Sequence, residues 1–198
     1  VYFYSHNGSS WNFDSSFQGD VALDYLGESV AITENRAVAG AGLFRSGSPP
    51  TLGGAYFYNY IGSSWVFDVS FSGENDGDEF GVSVSISENK AVVGAPAYGT
   101  GTFTDDGAAY FYNYIGSSWA FDISLGTPSS GEFLGQSVSI NKDKSLIGAS
   151  GPPTTSPGKA YLYDYSGATW NLEQTLLGEN ISDRFGTRVS IDGNFAAI

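Results

Sequence analysis

Apolar and polar residues alternate with a period of two along much of this chain. Val82, Val84 and Ile86 alternate with Ser83 and Ser85, and Trp119, Phe121, Ile123 and Leu125 alternate with Ala120, Asp122 and Ser124. That period is what a half-buried strand needs, because successive side chains leave opposite faces of the sheet. Between these two runs lie Ala91-Val92-Val93-Gly94, apolar throughout and read as a strand buried on both faces, and the aromatic run Ala109 to Tyr114. No segment shows a helical period. The pattern therefore predicts four short strands in succession.

The same four strands recur. Trp11, Trp65, Trp119 and Trp170 are spaced 54, 54 and 51 residues apart, and Tyr2, Tyr56, Tyr110 and Tyr161 keep that spacing, as do Gly27, Gly81, Gly135 and Gly186. The run Gly54 to Trp65 returns almost unchanged at Ala108 to Trp119. Turn residues fall where hairpins need them. Glu34-Asn35, Glu88-Asn89 and Asp192-Gly193 separate first from second strands, and Gly8, Gly62, Gly116 and Gly167 separate third from fourth. Four antiparallel strands in a period of about 50 residues describe an all-β chain, a β-propeller of four-stranded blades. A solenoid coil would be shorter, and a sandwich would not repeat its sequence so faithfully. The expected units are half a blade at 1–18, whole blades at 25–72, 79–125 and 133–177, and half a blade at 184–198, all in one propeller segment and read as part of a larger ring.

Phe80-Gly81 followed by Gly94-Ala95-Pro96 resembles the FG-GAP repeat, the blade unit of integrin α-subunit propellers and of many bacterial surface proteins. Variants stand at Leu26-Gly27 with Gly40-Ala41-Gly42 and at Leu134-Gly135 with Gly148-Ala149-Ser150, and Phe185-Gly186 opens a fourth. The resemblance implies a secreted or cell-surface module that works in adhesion, ligand binding or assembly. It also leaves open an accessory or lectin-like, carbohydrate-binding domain of a larger secreted enzyme or surface protein. The partners it implies are a protein or glycan ligand, or further blades or copies of the same protein. Integrin blades often carry a calcium loop between first and second strands. Here that connection is only Ser87-Glu88-Asn89-Lys90 or Asn141-Lys142-Asp143-Lys144, too short to wrap the oxygens calcium prefers.

Composition narrows the partners. The net charge is −13 with only 8 Lys plus Arg, so the clustered cations of a nucleic-acid or anionic-membrane binder are missing. No apolar run approaches the length of a membrane span. Cysteine is absent, which removes disulfide and thiol chemistry. No constellation of acid, base and nucleophile converges, so a non-enzymatic role is expected.

Candidate sites lie in the connections. The densest carboxylate cluster, Glu74 to Glu79, offers Asp76, Asp78 and Glu79 to a calcium ion, although a solvated loop in an acidic protein explains it more simply and no cofactor is expected. The long loops between second and third strands, 43–53, 97–106 and 151–158, put Phe44, Arg45, Tyr98 and Phe103 forward as ligand contacts. His6, the single histidine, lacks triad partners and is read as exposed near a turn. Asp14, Asp68 and Asp122 recur at one blade position and are read as the outward polar residues of an edge strand. The Trp and Tyr rows are read as blade packing rather than sugar platforms. Asn7-Gly8-Ser9 and Asn180-Ile181-Ser182 are glycosylation sequons in expected loops.

Overall fold

A computed structural model describes residues 1–19, 25–42, 52–99, 106–127 and 131–198. The described residues contain sixteen strands and no helix, so no helix is long and apolar enough to cross a membrane. Three whole blades are four-stranded antiparallel sheets with strands in chain order. The first is β3 (Ser29–Ile32), β4 (Arg36–Ala41), β5 (Gly54–Ile61) and β6 (Ser64–Ser72). The second is β7 (Ser83–Ser87), β8 (Lys90–Ala95), β9 (Ala108–Ile115) and β10 (Ser118–Gly126). The third is β11 (Leu134–Asn141), β12 (Lys144–Ala149), β13 (Lys159–Tyr165) and β14 (Trp170–Leu177). Two-stranded sheets flank them, β1 (Tyr2–His6) with β2 (Trp11–Ser16), and β15 (Ser190–Asp192) with β16 (Phe195–Ala197).

Neighbouring blades meet most closely through their first strands, so β3, β7, β11 and β15 lie side by side along one axis. Between the sheets the aromatic rows interlock. Phe3 stacks on Trp65 of the next blade at 4.6 Å, Phe57 meets Trp119 at 4.9 Å, and Phe111 meets Trp170 at 4.5 Å. Those three tryptophans are buried, whereas Trp11 is exposed. Second strands are the driest, with Val38, Val92, Val93, Leu146 and Ile147 fully enclosed. Burying such aromatic and aliphatic area between blades is the main force holding the stack together.

The two halves of the repeat signature meet across the blade junction. A Cβ placed on Gly94 would sit 2.0 Å from the carbonyl oxygen of Gly135 in the next blade, and one on Gly148 would sit 1.9 Å from that of Gly186. Only a hydrogen fits there. The residue before each blade glycine then holds the chain in place through a parallel bridge to the preceding blade: Gly53 with Phe80, Gly107 with Leu134, and Gly158 with Phe185.

The serines that alternate along the first strands are also junction residues. Ser29 and Ser83 Oγ donate to the carbonyls of Gly81 and Gly135, both at 2.7 Å. Ser85 and Ser139 Oγ accept from the backbone N–H of Ile140 (3.1 Å) and Ile191 (3.0 Å). Hydroxyls so placed satisfy backbone groups that have no ladder partner on that side.

Each outer strand carries a β-bulge, and the bulged residue is Asp14, Asp68, Asp122 or Glu173. A bulge re-aims its side chain. Asp68 Oδ2 accepts from the backbone N–H of Trp119 in the next blade at 3.2 Å, so this aspartate ties blades together instead of pointing outward. Asp122 is exposed, as the sequence suggested, and Asp14 keeps one buried oxygen without a partner.

Candidate functional site

The segment that enters each blade has one backbone shape in all four copies. Tyr25, Glu79, Phe133 and Arg184 adopt φ of 56°, 57°, 56° and 55°, each immediately before the hydrophobic–glycine pair of the signature. The left-handed region costs an L-residue about 1–2 kcal/mol, and glycine would relieve it. None of the four is glycine, and their chemistry ranges over two aromatic rings, one of them a phenol, a carboxylate and a guanidinium.

Two residues before the glycine pair comes an acid in every copy. Asp78 and Glu132 are buried, Asp183 is exposed, and Asp24 holds the position in sequence outside the described residues. Asp78 accepts from the Asn75 backbone N–H at 2.9 Å and from its side-chain amide at 3.3 Å. Asp183 repeats this with Asn180, at 2.8 and 3.4 Å. Glu132 is held instead by the Lys159 ammonium and by the Tyr161 hydroxyl, which donates at 2.5 Å. The repeated Glu-Asn-x-x-Asp of residues 74–78 and 179–183 was the available sequence signal for this loop device, and the cluster reading of 74–79 passed over it.

Burial pushes the Asp78 carboxyl above its ordinary value, against the lowering effect of the Asn75 hydrogen bonds. Burial also raises the Tyr110 phenol, helped by the charge of Glu74, and raises Tyr161, which donates to Glu132. Both phenols stay protonated, and that of Tyr161 acts as a donor to Glu132.

The candidate residues divide as follows. Tyr98 lies at the edge of the acidic loop, its hydroxyl donating to Glu74 at 3.4 Å and its ring set edge-on to Tyr110. Phe44, Arg45 and Phe103 lie outside the described residues. Asp76 is exposed at the loop tip, Asp78 is turned inward, and Glu79 takes the left-handed position, so the three carboxylates serve different ends. Among the described residues no three His, Asp or Glu side chains are grouped to hold a metal ion. His6 is exposed at the end of β1, beside the β1–β2 turn, its Nδ1 accepting from Gly8 N–H. Asn7 and Asn180 are both exposed in loops; Asn7 Oδ1 accepts from Ser9 and Ser10, while Asn180 is occupied with Asp183.

Sequence reasoning missed the half-open chamber that three of the entry segments line. Glu79, Phe133 and Arg184, from three successive entries, line a cavity of about 210 Å³ with Pro96, Ser150 and Pro153. Gln136 lines this cavity and also a second of about 340 Å³ between the first strands, where Glu28 and Arg188 stand among Val82, Val84 and Val138. Burial raises the Glu28 carboxyl, opposed by a hydrogen bond from the Gly42 N–H.

No curated protein matches the chain. Residues 70–112 match the family model of the FG-GAP repeat. That span runs from the end of β6 to β9 and contains both Phe80-Gly81 and Gly94-Ala95-Pro96, whose glycines make the junction contacts described above, so this part of the stacked blades is matched as an FG-GAP repeat.

Proposed function

We propose that this segment is a non-catalytic binding module of an extracellular or cell-surface protein, and that the face bearing the blade entries takes a protein ligand. One observation carries the reading: four different side chains, two aromatic, one acidic and one basic, are held in the same strained backbone conformation at equivalent blade positions. Strain persists where the surrounding structure over-determines it and where the side chain itself is useful. A scaffold that keeps its backbone constant and varies its chemistry at display positions is built for recognition. The other conspicuous polar groups, Asp68, Asp78, Glu132 and the first-strand serines, are occupied in holding loops and junctions.

The test is selection of peptides from a displayed random library on the immobilised chain, followed by binding to a variant with Tyr25, Glu79, Phe133 and Arg184 all changed to glycine. The backbone tolerates glycine at each position, so the variant stays folded. The selected ligands should lose most of their affinity. Ligands that bind the variant as well as the parent would refute the reading.

A further inference from the structure

We infer that the 210 Å³ chamber at the blade entries is a site for a carboxylate carried beside an apolar side chain, as at the C-terminus of a peptide. This rests on the reading of the entry face as a binding surface and goes further in naming the chemistry. The chamber walls divide into two kinds. Pro96, Ala97, Phe133 and Pro153 form an apolar floor, and Arg184, Gln136 and Ser150 supply polar groups beside it.

Arg184 is the cation of the chamber. Its guanidinium makes no ion pair or side-chain hydrogen bond among the described residues, in a chain of net charge −13 where acids outnumber cations 21 to 8. Lys90, Lys144 and Lys159 are paired with acids, whereas Arg184, like Arg36, Lys142 and Arg188, has no acid partner among the described residues. Arg184 is exposed, its backbone sits at φ 55°, and its side chain lines the cavity with both guanidinium edges open to a ligand. The planar fork of arginine matches a carboxylate with two parallel bonds. Phe133, from the preceding entry and in the same strained conformation, presents an aromatic surface to whatever apolar group accompanies the carboxylate. Glu79 lines the same chamber, so its charge opposes any anion there, and opposes a dianion such as phosphate more than a single carboxylate.

A leucine-sized residue with its carboxylate fits this volume. The carboxylate can come from a chain terminus or from an acidic side chain, and three probes separate the two: acetyl-Gly-Leu with a free carboxylate, acetyl-Gly-Leu-amide, and acetyl-Asp-Leu-amide. Binding to the full chain is followed through the backbone amide resonances of Gln136, Ser150 and Gly151. Acetyl-Gly-Leu should shift these resonances and bind about tenfold or more tightly than its amide, the worth of a charge-assisted pair. R184Q, on an exposed loop, should remove that tenfold preference while the spectrum stays that of the folded chain; F133A should weaken the acid and the amide alike. Tight binding of acetyl-Asp-Leu-amide would assign the carboxylate to a side chain and keep the site. Equal binding of acid and amide, a preference that survives R184Q, or no shift at the three amides with any probe would overturn the inference. If library-selected peptides still bind the entry face in that event, the binding-module reading stands and only the chamber is lost; if nothing binds that face, both fall.

Discussion

At the scale of single residues, the junction glycines leave the least room. Gly94 is in ordinary strand conformation, so what it supplies is the absence of a side chain, 2.0 Å from where a methyl group would strike the Gly135 carbonyl. Gly94→Ala should cost at least about 2 kcal/mol in denaturant unfolding, because the obstacle is backbone and cannot turn aside. Arg184 makes the opposite case. Arg184→Gly relieves the left-handed strain and should raise stability by about 0.5–1 kcal/mol, net of the entropy glycine adds to the unfolded chain, while ligand binding falls. A stabilising change that destroys function is the signature of a residue kept for recognition. Asp78 adds a pH dependence. Its folded pKa lies above its ordinary 3.8, so the folded state holds the proton more tightly than the unfolded chain. The associated stability is present below that ordinary value and is lost as pH rises through the folded pKa. Asp78→Asn keeps an acceptor for the Asn75 N–H and should flatten the fall in unfolding free energy as pH rises from about 4.

At the scale of strands and blades, most of the architecture was legible because it is a periodic consequence of burial. Four tryptophans on one spacing and apolar second strands can hardly mean anything but stacked sheets. The parts that stayed hidden depend on direction rather than on composition. Asp68 looks like an edge-strand polar residue until the bulge turns it toward Trp119, and Ser85 looks like the solvent half of an alternating strand until the next blade supplies an N–H. The entry chamber was hidden for a similar reason: Glu79, Phe133 and Arg184 are unlike one another, and a search for repeated residues passes over a repeated backbone conformation. On the hairpin side the blades are clasped by cations at the start of second strands. Arg36 lies over the ring of Tyr114 at 3.9 Å, and Lys90 lies 4.7 Å over Tyr165 and 3.0 Å from Asp143. Lys90→Ala should lower stability by about 1 kcal/mol, and added salt should shrink the difference measured by thermal unfolding.

At the scale of the whole molecule, each blade touches its neighbours and little else, so stability is close to a sum of blade terms and junction terms. The first-strand hydroxyls make that coupling measurable at single amides. Ile140 N–H donates across the junction to Ser85 Oγ. Ser85→Ala should speed hydrogen exchange at Ile140 by about tenfold, while amides deep in β9 keep their protection. Uniform loss of protection through both blades would show instead that the serine supports folding at large.

The pairing of Gly94 with Gly135, and of Gly148 with Gly186, has a further consequence for how such chains change. Each copy brings one half of the contact for its predecessor and the other half for its successor. Any copy can therefore follow any other, and a gene segment duplicated or lost in whole periods leaves every seam matched, whereas a gain or loss out of phase would bring two unfitted surfaces together.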